Sequence, residues 1–353
     1  MRIEELDRNL RVDCGIEEPD IVWFDVMQPP FAIYGLQYDT EQGCFIRMPQ
    51  AVADTVNPGV AYLCHHTAGG RLRFCTDSSF IGLHAVMKND AMMPHFTLAG
   101  QSGFDLYRSQ NGEQECYVAT FMPPIGMKDG YSASCKLNGA MAAYTINFPL
   151  YDRVEHLYIA LKRQADLKAP EPYRNEKPVV YYGSSITQGG CASRPGNSYQ
   201  AILSRRLGID YINLGFSGSA RAEESMAAYL ASLPMSVFVC DYDHNTPSAE
   251  HLAATHWPLY RAVREAQPNL PILFLSAPDV LRDPATFAPR REIIRETYRR
   301  AKEAGDDRVY LVGGDALFAG EDADSCTVDG CHPNDLGFYR MAHAVEPVLA
   351  KLI

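Results

Sequence analysis

The stretch Val179-Val180-Tyr181-Tyr182-Gly183-Ser184-Ser185-Ile186-Thr187-Gln188-Gly189-Gly190 decides how this chain reads. Four apolar or aromatic residues in a row suit a short buried strand, and the serines and glycines after them a tight turn into a helix. A serine just past a strand end can stand exposed there, which suits a nucleophile, since nearby backbone N–H groups can face an oxyanion. The segment alone also suits an ordinary Ser/Gly-rich loop.

Downstream the same unit recurs. Asp210-Tyr211-Ile212-Asn213-Leu214, Val237-Phe238-Val239-Cys240, Ile272-Leu273-Phe274-Leu275 and Val309-Tyr310-Leu311-Val312 read as strands. Residues 199–207, 223–232, 259–266 and 290–304 read as the intervening helices. A last helix places Phe338, Met341, Ala342, Val345, Val348, Leu349 and Leu352 on one face. Strict alternation predicts a parallel sheet covered by helices on both faces, with its site at the carboxyl ends of the strands.

Upstream the texture differs. Residues 20–161 carry short alternating runs, such as Arg71-Leu72-Arg73-Phe74-Cys75-Thr76 and the series Ile81, Leu83, Ala85, Met87. Turn signals at Asn57-Pro58-Gly59, Gly69-Gly70, Asn111-Gly112 and Asp129-Gly130 separate them. This half predicts a β-sandwich or jelly roll, with no sustained helical period. Residues 162–178, with Pro170, Pro172 and Pro178, read as a linker. At roughly 150 residues per domain, 353 residues give two, placed at 1–165 and 166–353.

Composition narrows the function. Lys plus Arg is 32 and Asp plus Glu is 43, a net charge of −11. That argues against nucleic-acid or anionic-membrane partners, which need a basic face. No run approaches the roughly 20 apolar residues of a membrane helix. The opening MRIEELDRNLRVD lacks the apolar core of a signal peptide, so a cytoplasmic location is expected. The ten cysteines (14, 44, 64, 75, 116, 135, 191, 240, 326 and 331) form no CxxC, and reduced buried thiols are expected. His65-His66, His84, His95, His156, His251 and His343 show no metal-ligand spacing, so no metal is expected. An acidic surface and an exposed sandwich edge allow a homodimer without demanding one.

A second motif, Asp329-Gly330-Cys331-His332-Pro333-Asn334-Asp335-Leu336-Gly337, precedes the final helix. An Asp three residues ahead of a His can accept its Nδ1–H, fixing the ring's tautomer and stabilising the imidazolium.

A nucleophile block opening an α/β domain, with Asp and His closing it, resembles the SGNH (GDSL) hydrolase family. Gly183-Ser184-Ser185-Ile186-Thr187 resembles its first block, Asn213-Leu214-Gly215-Phe216-Ser217-Gly218 its second, and Asp329-x-x-His332-Pro333 its last. Asp241-Tyr242-Asp243-His244-Asn245 stands at the third block without the usual Gly-x-Asn-Asp, so its Asn aligns with His244 or, preferably, Asn245. Ser184 replaces the usual Asp before the nucleophile. Gly103-Phe104-Asp105-Leu106-Tyr107 resembles the GxDLY signature of a β-sandwich domain found ahead of the hydrolase in one subgroup. Asp105 and Tyr107 are expected to be structural, the Asp capping a turn, and Arg194 to be a solvated charge.

The resemblance implies an α/β, three-layer flavodoxin-like SGNH domain with a five-stranded parallel sheet, behind a β-sandwich (jelly-roll) domain. It implies Ser185 as nucleophile, His332 as base and Asp329 as its partner, with the N–H of Ser185, the N–H of Gly218 and the Asn245 amide as oxyanion donors. His244 and Trp257 are candidate substrate contacts. Trp257 either offers a stacking face for sugar or anchors its loop in the core. No cofactor is implied. The expected activity is that of a carboxylic ester hydrolase, an acetylesterase acting on plant-derived oligosaccharides or a smaller ester. An acyltransferase with the same triad, or a carbohydrate-binding protein on a retired scaffold, are the alternatives.

Overall fold

The computed structural model describes residues 16–88, 92–110, 112–278 and 284–353. Cys14 and Asn111 lie outside the described residues. The chain forms two compact units. The first takes residues 16–47, His65–Pro172 and Arg194–Gly196; the second takes Met48–Cys64, Tyr173–Ser193 and Asn197–Ile353. This partition differs from a single cut at residue 165.

The first unit contains β1 (Ile21–Asp25), β2 (Ala32–Tyr34), β3 (Gln37–Asp39), β4 (Cys44–Ile46), β5 (Arg71–Thr76) and β6 (Phe80–Lys88). It continues with β7 (Phe104–Ser109), β8 (Cys116–Phe121), β9 (Gly130–Lys136), β10 (Ala142–Asn147), β11 (Arg153–Lys162) and β12 (Leu167–Lys168). One antiparallel sheet runs β1-β11-β6-β9, and the other β12-β5-β10-β7-β8 with β2 beside β5. The alternation seen in the sequence decides which side chains face inward. Leu72 and Phe74 of β5 lie opposite Ile146 and Tyr144 of β10, and Leu83 of β6 opposite Ile159 of β11. All six are buried in one apolar cluster fed by both sheets, which makes a β-sandwich.

The GxDLY residues acquire partners within this unit. Asp105, on β7, is fully buried. Its Oδ1 accepts from Asn147 Nδ2 at 2.8 Å, and its Oδ2 from Arg194 Nη1 at 2.8 Å and from the Gly196 N–H at 2.9 Å. Arg194 also bonds the Tyr107 hydroxyl, and its guanidinium lies 4.3 Å from the Tyr117 ring centre. Arg194 is therefore an ion-paired, ring-stacked group rather than a solvated charge. Asp105 is buried and structural, and the turn whose N–H it accepts, Pro195–Asn197, is distant in sequence. A buried carboxylate needs such donors, since an unpaired one is strongly disfavoured.

The second unit is a five-stranded parallel sheet of β13 (Val179–Gly183), β14 (Tyr211–Gly215), β15 (Val237–Asp241), β16 (Ile272–Leu275) and β17 (Val309–Val312). The order is β14-β13-β15-β16-β17. From β13 the chain first adds β14 on one side and then β15 on the other, so the carboxyl end of β13 is a switch point. Ser184 and Ser185 follow directly there. Helices Tyr199–Leu207, Glu224–Ser232, Ala249–Ala266, Pro284–Glu303 and Asp335–Leu349 complete the unit. Helix Ala249–Ala266 extends ten residues upstream of the expected 259–266, because Pro258 masks a period that runs through it. The helix expected at 290–304 starts earlier, at Pro284.

Two short helices, Gln50–Val56 and Pro58–Leu63, were not visible in the sequence pattern. Each is too short to show a helical period. Their apolar side chains Ala53, Val60 and Leu63 join Met226, Leu230 and Leu252 in the core of the second unit. Asn57 caps the second of them and donates to the Ser219 carbonyl at 3.0 Å. Among the described residues no helix is long and apolar enough to cross a membrane. The nine described cysteines are free thiols.

Candidate active site

Ser184 and Ser185 divide the labour at the end of β13. Ser184, at the position of the family's Asp, caps the one-turn helix Ser185–Gln188 by accepting from the Ile186 N–H at 3.2 Å. Ser185 is the first helical residue and is 7 % exposed. Its Oγ lies 2.9 Å from His332 Nε2.

The Asp–His block is a compact loop. Asp329 Oδ1 accepts from the backbone N–H groups of Cys331, at 2.9 Å, and His332, at 2.8 Å. This turn presents the other oxygen, Oδ2, to His332 Nδ1 at 2.8 Å. A bridge between Thr327 and Pro333 closes the loop. Burial acts to raise the Asp329 pKa. The hydrogen bond from the His332 ring, the two backbone N–H groups and the His332 charge outweigh it and hold the carboxyl down at about 2. Asp329 is thus an anion throughout the neutral range. With Nδ1–H donated to Asp329, His332 Nε2 is the nitrogen that accepts from Ser185 Oγ. The structure therefore brings Ser185, His332 and Asp329 into one hydrogen-bonded line.

The donors expected at the oxyanion are also adjacent. The turn Asp243–Asn245 follows β15, and Gly218 ends the loop after β14 in a left-handed conformation, φ 68°. In the orientation that satisfies its neighbours, the Asn245 amide donates to the Phe216 carbonyl at 3.0 Å and accepts from the Gly218 N–H at 3.2 Å. The reverse orientation would set oxygen against oxygen and put two donors side by side. Asn245 and Gly218 are brought together, then, but bonded to each other.

His244 lies on the other side of that turn. Its Nδ1 is 3.9 Å from Cys331 Sγ and its ring 4.9 Å from Phe287. Burial lowers its pKa, and the charges of His332 and Arg290 push the same way against Asp243. Trp257 stands within helix Ala249–Ala266, packed partly against the core, with the Arg300 guanidinium 3.9 Å over its ring and Tyr260 at 5.0 Å. Trp257 thus lies in a helix rather than a loop, and one of its stacking faces is covered by Arg300. Cys191 Sγ lies within 4.8 Å of a His332 ring nitrogen. Burial, with Asp329 and Cys331 adding to it, pushes its thiol up to about 12, far from the thiolate range.

Several supporting residues had no signal in the motif reading. The Thr187 carbonyl accepts from Gln200 Nε2 and Asn213 Nδ2, both at 2.7 Å, and its hydroxyl donates to Asp241 Oδ2 at 3.1 Å. Gln188 Oε1 accepts from the Ser217 N–H at 3.0 Å. Burial, and then the neighbouring Asp243, push the Asp241 carboxyl well above the usual range, against the hydrogen bond from Thr187. Arg290 donates to the carbonyls of Asp243, at 2.7 Å, and Thr246, at 2.9 Å, fixing the turn that carries Asn245. Thr187, Asn213, Ser217, Asp241 and Asp243 lie within the blocks quoted above, whereas Gln200 and Arg290 reach the site from outside them.

The profile of the GDSL-like lipase/acylhydrolase family matches residues 176–350, and that of the GxDLY domain, the N-terminus of SGNH-type esterases, matches residues 21–167. No curated protein sequence matches the chain. A Bacteroides ovatus crystal structure described as a GDSL-like lipase is 27 % identical, with a TM-score of 0.84, covering 94 % of this chain and 98 % of that one. The salicylyl-acyltransferase SsfX3 of a tetracycline biosynthetic pathway is 20 % identical at TM-score 0.73, covering 95 % and 98 %. An acetyl xylan esterase from the rumen bacterium Butyrivibrio proteoclasticus is 12 % identical at TM-score 0.60, covering 94 % and 98 %. The two profiles account for both halves of the sequence in the expected order, and the chain belongs to the SGNH (GDSL-like) hydrolase family, in the group that carries a GxDLY domain ahead of the hydrolase.

Proposed function

We propose that the protein is a serine esterase that removes short acyl groups, acetyl foremost, from hydroxyls of plant-derived oligosaccharides. The observation that carries this reading is the line Ser185 Oγ, His332 Nε2, His332 Nδ1, Asp329 Oδ2, with links of 2.9 and 2.8 Å. As Ser185 Oγ bonds to the ester carbonyl carbon, its proton passes to His332 Nε2. The carbonyl oxygen becomes an anion, met by the N–H groups of Ser185 and Gly218 and the Asn245 amide. Collapse breaks the bond to the sugar oxygen, which takes the proton from His332 and leaves as the alcohol. Water then attacks the acyl-serine while His332 takes its proton. The acid departs and the proton returns to Ser185 Oγ. Asp329 holds the ring and remains ionised throughout.

Carbohydrate esters are favoured because family 2 carbohydrate esterases and an acetyl xylan esterase share the two-domain fold. The net charge of −11 is compatible with neutral acylated sugars and unfavourable to polyanions. Release of p-nitrophenol from its acetate ester tests the chemistry, and acetate release from a panel of acetylated oligosaccharides tests the class. Ser185→Ala should abolish both; unchanged turnover in that variant sinks the assignment. A second reading, acyl transfer to a hydroxyl other than water, is suggested by the fold shared with the salicylyl-acyltransferase. Adding an acceptor alcohol separates the two. Transfer predicts an ester product that grows at the expense of free acid.

A further inference from the structure

The geometry points to Asp335 as a positioning residue that fastens the loop after the nucleophile to the helix after the base. The inference rests on the reading of Ser185 and His332 given above. Asp335 opens helix Asp335–Leu349, three residues beyond His332. Its Oδ1 accepts from the Ser193 N–H at 2.8 Å. Its Oδ2 accepts from the Ser193 hydroxyl and from Asn197 Nδ2 at 2.8 Å. One carboxylate thus takes three donors from a segment that begins eight residues after Ser185. Charge-assisted bonds of this kind are about twice as strong as neutral ones.

Both ends of the tie are short and stiff. On the nucleophile side the Gly190 N–H donates to the Ser185 carbonyl at 2.8 Å and the Ala192 N–H to the Gly189 carbonyl at 3.2 Å. On the base side Pro333 pairs with Thr327, and the Asn334 N–H donates to the Cys326 carbonyl at 2.9 Å. Between them the Cys191 Sγ lies within 4.8 Å of a His332 ring nitrogen. Between Ser193 and Asn197, residues Arg194 and Gly196 fold with the first unit, where Asp105 takes both. Gly196 has no room for a side chain, since a Cβ would lie 2.5 Å from the Tyr107 ring and 2.7 Å from Asp105 Oδ2. Carboxylates therefore seize successive residues of this strap, and Asp335 is the one that joins it to the His332 loop. With little slack in either arm, Asp335 sets the separation of Ser185 Oγ from His332 Nε2. A misplacement of about 1 Å at such a pair can cost on the order of 100-fold in rate.

The competing role for Asp335 is a favourable charge in the first turn of a helix, which would support stability alone. Two variants separate the roles. Asp335→Asn keeps the shape but sets an amide against the donors of the strap. The double variant Ser193→Ala, Asn197→Ala removes two strap donors and leaves the helix charge in place. Turnover of p-nitrophenyl acetate and the rate of Ser185 modification by phenylmethylsulfonyl fluoride are measured, with Tm as control. In the modification, Ser185 Oγ bonds to sulfur, fluoride leaves, and the serine proton goes to His332. Both variants should lose about tenfold or more in kcat and in modification rate, with KM within about threefold of the parent. A lowered Tm with kcat and modification rate unchanged would overturn the inference. So would a loss in Asp335→Asn that the double variant does not share. A parent protein that is not modified at Ser185 would overturn the nucleophile reading and this inference with it; modification of the parent with no change in the variants overturns this inference alone.

Discussion

The Asn245 amide holds Gly218 through its oxygen and Phe216 through its nitrogen, so the N–H₂ group proposed to meet the oxyanion is already engaged. An oxyanion arriving beside Gly218 must draw the N–H away from Asn245 Oδ1 and take a share of the amide N–H₂. The exchange is between bonds of similar type, and the greater negative charge of the oxyanion decides it. This predicts an order among substitutions. Asn245→Ala should lower kcat by about 100- to 1,000-fold, the usual loss for one oxyanion donor. Asn245→Asp should fall further, because it still accepts from Gly218 but places a like charge against the oxyanion. Steady-state kinetics on p-nitrophenyl acetate check this; a loss under tenfold in the Ala variant would leave Asn245 a loop support only. At this scale the sequence was legible where chemistry sits in contiguous motifs. The spacing Asp329-x-x-His332 is itself the geometry of the hydrogen bond at 2.8 Å. Arg194 was misread because its partner Asp105 lies 89 residues away.

At the scale of the element, the helix that carries Ser185 is only four residues long and cannot stand by its own hydrogen bonds. Its position comes from Gln200, Asn213 and Asp241 gripping Thr187, and from Ser217 gripping Gln188. Close approach by the strand ends completes the seat. A Cβ built on Gly215 would lie 2.1 Å from the Gln188 nitrogen and 2.6 Å from the Thr187 carbonyl carbon, both backbone. Backbone cannot turn aside as a side chain can. Gly215→Ala should therefore cost about 1–3 kcal/mol in stability by overpacking. It should also lower the rate of Ser185 modification, because relief comes only by displacing this helix. Thermal unfolding and the modification rate, measured together, check the two halves of the claim. A stable variant modified at the parental rate refutes it. Strands β5, β6 and β13 to β17 were legible because alternation and apolar runs survive in four to nine residues, whereas the three-residue β2, β3 and β4 show neither. Helices Gln50–Val56 and Pro58–Leu63 were not, since one or two turns carry no period.

At the scale of the whole molecule, the order of a β-sandwich ahead of a parallel α/β sheet was legible from texture alone. The exchange of segments was not. Residues 48–64 fold with the second unit and residues 194–196 with the first, because apolar faces and a buried carboxylate claim them there. Acid stability has a contribution at this scale too, from a buried histidine in each unit. His66 and His256 are 3 % and 2 % exposed, and burial lowers the pKa of each from 6.5 to about 3. His256 stacks on Tyr242 with ring centres 5.8 Å apart and lies 4.8 Å from Phe274, and its Nδ1 is buried without a partner. The unfolded chain binds the proton that the folded chain refuses. Stability is thus complete above pH 6.5 and falls as the pH drops toward 3. For one such histidine the loss reaches about 3 kcal/mol by pH 4. The net charge runs the other way, since a chain at −11 loses self-repulsion as it approaches its pI near 5.4. The parent's own pH profile therefore mixes both effects, and a charge-matched comparison isolates the histidine. His256→Phe keeps the aromatic stack and removes the titration. Chemical denaturation of parent and variant between pH 7 and pH 4 should show the parent losing more stability, with the difference growing as the pH falls below 6.5. Parallel profiles would mean that His256 is not held neutral by its burial.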